Sequence, residues 1–397
     1  MDLSLYVHVP FCRSKCAYCS FYSLGCGFSR ADQETFVEIV LKEGQRILAG
    51  LEVTSLPSIF IGGGTPSSLS LPLWTALLEG IGRLVEPYPP GAMAREWTVE
   101  ANPESLTREK LSAAAEAGVT RLSLGIQSFN ARSLALLGRS AGPDQNKEAL
   151  DLISSCWNGL WNADLICEIP GQTIASAARD WEILEAYHPP HVSLYTLSIE
   201  EGTPLADKAG REELPGFDEE VWPFLQGALA RSGYEGYEIS NYHHQSAGPC
   251  LHNLRYWRMR PYLGLGPGAV STIPANGAVL RRENSPDLAL YLSGGAGSSS
   301  VEEALTSREF LEESLLMGLR TGEGLSLPDF ESVFQVPLEK LLPRWLDRGL
   351  REGWLSRQEG RISAAGEGIL FLNRRLIEAF EELDRRKADR LPAPRWP

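Results

Sequence analysis

The chain has 397 residues, 43% of them hydrophobic and 22% charged, which is the make-up of a globular protein with enough length for one large domain and a smaller companion. Its 37 basic and 51 acidic residues give a net charge of −14, which argues against broad nucleic-acid binding through a basic surface. No apolar run approaches the ~20 residues of a membrane span and no export signal is evident, so a cytoplasmic location is expected.

From Leu3 to about Ile199, short apolar strands alternate with longer amphipathic stretches, the pattern of repeated βα units. Strands are predicted at 4–9, 58–61, 97–101, 121–126, 162–166 and 191–197. Helices are predicted at 33–48, 71–85, 108–117, 145–155 and 176–187, with Thr107 as an N-cap and Gly118 as a stop. Six such units predict an α/β architecture, a partial parallel (β/α)6 barrel wrapped by helices, over residues 1–235. Polar signals recur at the strand ends. A cysteine loop follows the first strand and Gly62-Gly-Gly-Thr-Pro66 the second. Glu100 ends the third strand, Gln127 ends the fourth, and Asp164 lies on the fifth just before Pro170-Gly171. In parallel barrels the carboxyl ends of the strands open on one face, so these signals converge on one mouth.

Residues 236–290 form a block rich in aromatics and short turns, carrying His243, His244, Cys250, His252, Tyr256 and Trp257. A Gly/Ser-rich linker is expected within 291–304. Thr306-Ser-Arg-Glu309 then forms a capping box ahead of an apolar helix. Two more helices, a hairpin centred on Glu359-Gly360 and a final helix predict a winged-helix-like C-terminal domain over 305–380. The helix at 338–350 carries Lys340, Arg344 and Arg348, the spacing a DNA reader would use. Glu339, Asp347 and Glu352 interleave with them, as on a solvated face, so a lid or a partner-docking role is preferred.

The chemistry begins with Cys12, Cys16 and Cys19, spaced Cys-x3-Cys-x2-Cys directly after the first strand. A [4Fe-4S] cubane normally takes four thiolates, so three would leave one iron open to an exchangeable ligand. A disulfide framework fits poorly with seven cysteines and no secretory signal. Structural zinc with His8 as fourth ligand is the other alternative, although His8 sits in an extended strand only four residues before Cys12.

The cysteine motif resembles that of the radical S-adenosylmethionine (SAM) superfamily. The opening Tyr6-x-His8-x-Pro-x-Cys12, Gly62-Gly-Gly-Thr-Pro66, Glu100-Ala-Asn-Pro103, Gly125-Ile-Gln-Ser-Phe129, Ile169-Pro-Gly-Gln-Thr173, Tyr237-Glu-Ile-Ser-Asn241, His252-Asn-x-x-Tyr-Trp257 and Gly264-x-Gly-Pro-Gly268 are similar to its coproporphyrinogen dehydrogenase branch. The resemblance implies that Cys12, Cys16 and Cys19 hold a [4Fe-4S] cluster whose fourth iron is chelated by SAM. It implies that Tyr6 packs on SAM and that Gly63, Gly64 and Thr65 let the backbone approach its methionine part. Glu100 would meet an amine or ribose hydroxyl, Gln127 and Asp164 the adenosine, and Arg139 a carboxylate. Reductive cleavage of SAM would then supply a radical able to take hydrogen from a substrate.

Two departures from the dehydrogenases redirect the expectation. Those enzymes carry a fourth cysteine two residues after the third, where this chain has Phe21, and a long N-terminal extension where the cluster loop here begins eleven residues from Met1. Both features are the pattern of the haem chaperones of that branch. The resemblance therefore implies a haem-binding chaperone that hands haem, or a related tetrapyrrole, to an acceptor protein. The alternative is oxygen-independent oxidative decarboxylation of coproporphyrinogen III, and a third reading is a cluster-sensing winged-helix regulator. His252 is the leading axial-ligand candidate, with Cys250 as an alternative and Tyr256 and Trp257 against the macrocycle. A hydrogen-bonded structural histidine is the competing reading of His252. Glu168 stands where the branch usually has glycine, and Val270 where it usually has histidine.

Overall fold

In the computed structural model, residues 1–91, 95–275, 277–294, 300–385 and 391–396 are described. The first half alternates as the hydrophobic pattern predicts: β1 (Ser4–Val9), α1 (Arg30–Ala49), β2 (Ser58–Gly63), α2 (Leu71–Val85), β3 (Glu96–Ala101), α3 (Arg108–Ala117), β4 (Arg121–Gln127), α4 (Ala131–Leu136), α5 (Pro143–Cys156), β5 (Leu160–Cys167), α6 (Ile174–Glu185) and β6 (His191–Thr196). Strands β1 to β6 pair in sequence order, all parallel. Thr107 caps α3 by accepting from the Lys110 N–H, and Gly118 ends that helix with φ of 95°.

Alternation along the strands separates two environments. Leu5, Val7, Val9, Ile59, Ile61, Val99, Leu122 and Leu124 face the helices and join the main apolar core. Their neighbours Tyr6, His8, Thr98, Glu100, Ser123, Asn162, Asp164, His191 and Ser193 face the lumen, so the barrel is polar inside.

After β6 come α7 (Pro204–Gly210), α8 (Val221–Arg231), β7 (Tyr234–Gly236), β8 (Asn241–His244), α9 (Leu251–Trp257), β9 (Tyr262–Leu265), β10 (Val270–Ala275), β11 (Ala278–Asn284), α10 (Leu288–Gly294) and β12 (Ser300–Leu305). The sheet order is β12-β11-β10-β9-β1-β2-β3-β4-β5-β6-β8-β7. The aromatic-rich block expected at 236–290 is thus threaded onto both edges of the barrel sheet, and β9 adds a seventh parallel strand beside β1. Strands as short as three or four residues show too little alternation to be read from sequence. Within 291–304, residues 295–299 lie outside the described residues, while α10 runs to Gly294 and β12 pairs along β11 from Ser300. The composition misled there because an exposed edge strand pairs through its backbone and needs no apolar side chains.

The C-terminal part comprises α11 (Ser307–Gly318), β13 (Leu325–Ser326), α12 (Leu327–Phe334), α13 (Leu338–Leu341), α14 (Pro343–Glu352), β14 (Leu355–Gln358), β15 (Arg361–Ala364) and α15 (Leu372–Arg385), around its own core of Phe310, Phe334, Trp345 and Leu376. The capping box forms, with Thr306 N–H donating to Glu309 Oε2 at 2.8 Å and Glu309 N–H to Thr306 Oγ1 at 3.2 Å. Glu359 and Gly360 take φ of 47° and 75°, the pair of positive angles a two-residue hairpin turn requires. The helix predicted at 338–350 breaks before Pro343, whose ring cannot continue it. Arg348 pairs with Glu378, and Glu339 from the same segment pairs with Arg357 at 2.7 Å, so charges on this face are spent on intramolecular ion pairs. Among the described residues, no helix is long and apolar enough to cross a membrane.

Candidate cofactor site

The cysteine loop is clamped by backbone bonds that do not involve its sulfurs. Cys12 N–H donates to Leu24 O at 2.9 Å, Ala17 N–H to Leu137 O at 2.9 Å, and Thr65 N–H to Phe11 O at 2.8 Å. The last of these binds the loop to the Gly62–Pro66 turn, where two glycines are sterically required. Gly63 has φ of 105°, and a Cβ on Gly64 would lie 2.8 Å from both Val9 O and Phe11 O. Their lack of bulk, read from sequence as room for a ligand, is used first by the protein's own loop.

One cavity of about 140 Å³ is lined by Cys12, Cys16, Cys19, Gly63, Gly64, Thr65, Glu100, Gln127, Arg139 and Asp164. Ten predicted residues from five βα units therefore meet at one place, the carboxyl ends of the strands. Phe21 also lines it and is 70% exposed.

The sulfurs are individually supported. Thr65 Oγ1 donates to Cys12 Sγ at 3.4 Å, and Arg139 Nη1 donates to Cys16 Sγ at 3.4 Å. Asn102 connects the two, its Nδ2 donating to Thr65 Oγ1 at 2.9 Å and its Oδ1 accepting from Arg139 Nη2 at 2.9 Å. Asn102 lies in the Glu100-Ala-Asn-Pro103 run, and its role is visible only once the fold brings Thr65 and Arg139 to it. Arg139 Nη2 also donates to Gly125 O at 2.7 Å. Its terminal nitrogens are thus engaged with Cys16, Asn102 and Gly125, while its Nε is left without a partner among the described residues. Burial pushes the Cys12 and Cys19 thiols up, so each sulfur favours its protonated form until a metal takes it.

The carboxylates behave as a pair. Burial, with the charge of Asp164 as the next cause, raises Glu100 to about 8. Burial raises Asp164 to about 6, opposed by hydrogen bonds from Ser193 and Asn162. Gly63 N–H donates to Glu100 Oε2 at 3.1 Å and Asn162 Nδ2 to Asp164 Oδ1 at 2.7 Å. Two recessed carboxyls facing one cavity favour a ligand that brings positive charge and N–H or O–H donors. Gln127 takes φ of 68° and its Oε1 is buried without a hydrogen-bond partner among the described residues, as is Arg139 Nε. These orphaned groups, the three converging thiols and the carboxyl pair fit a [4Fe-4S] cluster with SAM on its open iron.

Tyr6, expected to stack on SAM, lies one layer below the mouth. Its hydroxyl bonds His8 Nδ1 at 2.9 Å, and its ring tilts against Phe60. His8, the fourth ligand of the zinc alternative, has its other nitrogen on Tyr22 O at 2.7 Å, so both ring nitrogens are occupied. Among the described residues, no three His, Cys, Asp or Glu side chains are placed to hold a single metal ion.

His252 is at the opposite end of the barrel. Helix α9 crosses the amino ends of the strands, where Glu96 accepts from Leu251 N–H at 3.0 Å, His252 N–H at 2.9 Å and Cys250 Sγ at 3.2 Å. The His252 ring is 1% exposed, with Nδ1 on Ser58 Oγ at 3.0 Å, Nε2 on Tyr256 OH at 3.3 Å and its face against Phe60. It is a hydrogen-bonded core histidine, and Cys250 is buried beside it. From Ser58 to Gly63 the strand rise separates it from the cysteine mouth by roughly 16 Å. Of the two departures noted in sequence, Glu168 holds φ of 56°, a left-handed angle that explains why glycine suits the position, and Val270 begins β10 opposite Glu283.

Replacing Thr65 by Val keeps the shape but removes the donor to Cys12 and the acceptor for Asn102. Redox titration of the reconstituted cluster is expected to show a lower midpoint potential than wild type, since hydrogen bonds to sulfur stabilise the reduced state. The stability cost is expected to be about 1 kcal/mol by denaturant melt.

Residues 6–181 match the Radical SAM superfamily, and residues 305–371 match the HemN C-terminal domain. The chain is 32% identical to the heme chaperone HemW of Escherichia coli (strain K12), over 95% of this chain and 98% of that protein. It is 31% identical to the radical S-adenosyl methionine domain-containing protein 1, mitochondrial, of Bos taurus, over 98% and 90% of the two. Its fold is shared with the solved coproporphyrinogen III oxidase (HemN) of Escherichia coli, with a TM-score of 0.78 over 96% of this chain and 90% of that one, at 20% identity. The chain belongs to the radical SAM superfamily, in the group of HemN- and HemW-like proteins that carry the HemN C-terminal domain.

Proposed function

We propose that this protein is a cytoplasmic haem chaperone that holds a SAM-coordinated [4Fe-4S] cluster, binds haem and passes it to an acceptor protein. The observation that carries the reading is Phe21, an exposed ring at the rim of the cofactor cavity where the dehydrogenase pattern has a fourth cysteine. The length-spanning similarity to proteins named heme chaperones supports it. When bound, the cluster and SAM would supply one-electron chemistry at the mouth of the barrel.

The chain's own residues do the positioning. Cys12, Cys16 and Cys19 hold the cluster, with Thr65 and Arg139 donating to two of the sulfurs. Glu100 and Asp164 present carboxyls to the cationic and hydroxyl groups of SAM, and Gln127 Oε1 takes one of its donors. Gly63 and Gly64 keep the turn close to the loop. Three accessible thiols are best kept reduced in a cytoplasm-like compartment.

A haem titration tests the reading. Reconstituted wild type is expected to give a saturable Soret shift near one haem per chain. Under anaerobic conditions with reductant, SAM and coproporphyrinogen III, it is expected to form no protoporphyrinogen or carbon dioxide above a cluster-free control. A titration without saturation sinks the chaperone reading. Product formation would favour the dehydrogenase reading, which the lining of the cofactor cavity also accommodates.

A further inference from the structure

Between the barrel and the C-terminal domain lies a second cavity of about 600 Å³, a size common among small-molecule sites. On the barrel side, Tyr195 and Ile239 present 42% and 39% of their surface. On the other side, Leu370, 62% exposed, and Met317 of α11 line the cavity. Helix α9 contributes Tyr256 and Trp257. Large apolar side chains from five separate segments are thus turned toward one groove, which exposes surface that a lone monomer ordinarily hides.

The charges in the groove are distinct. Arg320 donates to Asn373 Oδ1 at 2.8 Å and forms no ion pair among the described residues. Burial lowers its pKa, with no carboxylate beside it to compensate. Glu238 also lines the groove, held by the Ser240 N–H at 3.0 Å and by the amide of Asn241. A ligand would therefore place its own carboxylate on Arg320 and turn a neutral edge toward Glu238.

The groove shares no lining residue with the cofactor cavity, but two of its tyrosines reach toward the barrel interior. Tyr195 lies near the carboxyl end of β6, where burial raises the pKa of its hydroxyl and the charge of Asp164 raises it further. Tyr256 links the groove to the barrel base, its hydroxyl meeting His252 Nε2 at 3.3 Å.

We propose that this groove is the tetrapyrrole site, with the macrocycle between Ile239, Trp257 and Leu370 and a propionate on Arg320. The inference rests on the haem-chaperone reading and gives the C-terminal domain a part in it, as one wall of the site. A flat, largely apolar ring with carboxylates at one edge matches both the walls and the single unpaired cation.

The test compares wild type with Arg320→Glu, Arg320→Gln and Leu370→Glu. Ile377→Glu, at a 57% exposed position on α15 that does not line the groove, serves as control. Haem, iron-free protoporphyrin IX and its dimethyl ester are titrated into each, and thermal melts confirm folding. Arg320→Glu and Leu370→Glu are expected to weaken haem and protoporphyrin binding at least tenfold, Arg320→Gln severalfold, and the control not at all. The Arg320 effects are expected to vanish with the dimethyl ester, which has no carboxylate to lose; a merely structural arginine would not discriminate. Unchanged affinity in the groove variants of a wild type that does bind would overturn this inference and leave the chaperone reading intact. Equal weakening by Ile377→Glu, or an Arg320 effect undiminished by the ester, would overturn it as well. If wild type binds no haem, both readings fall together.

Discussion

Replacing Cys12, Cys16 and Cys19 together by Ala is expected to reduce the iron and sulfide of the anaerobically reconstituted protein from about four of each per chain to background. The fold is expected to survive, because the loop is tied down by main-chain bonds to Leu24, Leu137 and the Gly62–Pro66 turn, none of which uses a sulfur. Far-UV circular dichroism and the melting temperature should therefore change little. Cys250→Ala is expected to leave the iron content at the wild-type level, since Cys250 is buried under α9 with its sulfur on Glu96. Iron retained at the wild-type ratio by the triple variant would remove these cysteines as cluster ligands. Among single changes, Cys16→Ala is expected to do most, because it also leaves Arg139 Nη1 without its sulfur partner.

The second large effect concerns pH. Burial, with the nearby Arg255 charge as the lesser cause, lowers His252 to about 3 from its ordinary 6.5. The folded protein keeps this ring neutral while the unfolded chain takes up a proton near 6.5. Its contribution is therefore fully present above pH 6.5 and lost as the pH falls toward 3, at up to about 1.4 kcal/mol per pH unit. His252→Gln removes that titration but disturbs the bonds to Ser58 and Tyr256, at a cost of about 1–3 kcal/mol at pH 8. Urea melts across a pH series are expected to show the variant less stable at pH 8, the gap closing below 6.5, and the curves meeting at about pH 5. Glu100 and Asp164, whose raised carboxyls push the other way, act alike in both proteins and cancel in the difference. Parallel curves over the whole range would show that His252 is not buried neutral.

Much of this could be read along the chain because it is local. Strands β1 to β6 bury one face against helices, so a period of two is written into Leu5, Val7 and Val9 and into Ile59 and Ile61. A polar residue at the end of such a strand, such as Glu100 or Asp164, stands out against that pattern, and parallel topology carries it to the mouth. What sequence could not convey depends on contacts made across many residues. Tyr6 and His8 share the lumen face, and only the sheet register shows that the mouth belongs to the second. His252 has the residue type of an iron ligand, yet Glu96, more than 150 positions earlier, draws α9 across the barrel base and buries it. Arg139 was legible as a cation but not as one already engaged by Cys16, Asn102 and Gly125.

The sealing of the barrel base has one more consequence. With Arg121 Nε also on Glu96 at 3.2 Å, and Arg255 bonded to Ser4 Oγ and to Asp2 Oδ2 at 2.8 Å, the narrow end is closed by charge-assisted bonds from four segments of the chain. The sheet itself stays open, with β12 and β7 at its two edges, so the base of the barrel is latched while its side is not. Cargo held in the groove, whose lining shares no residue with the cofactor cavity, can be exchanged without disturbing what lies at the mouth.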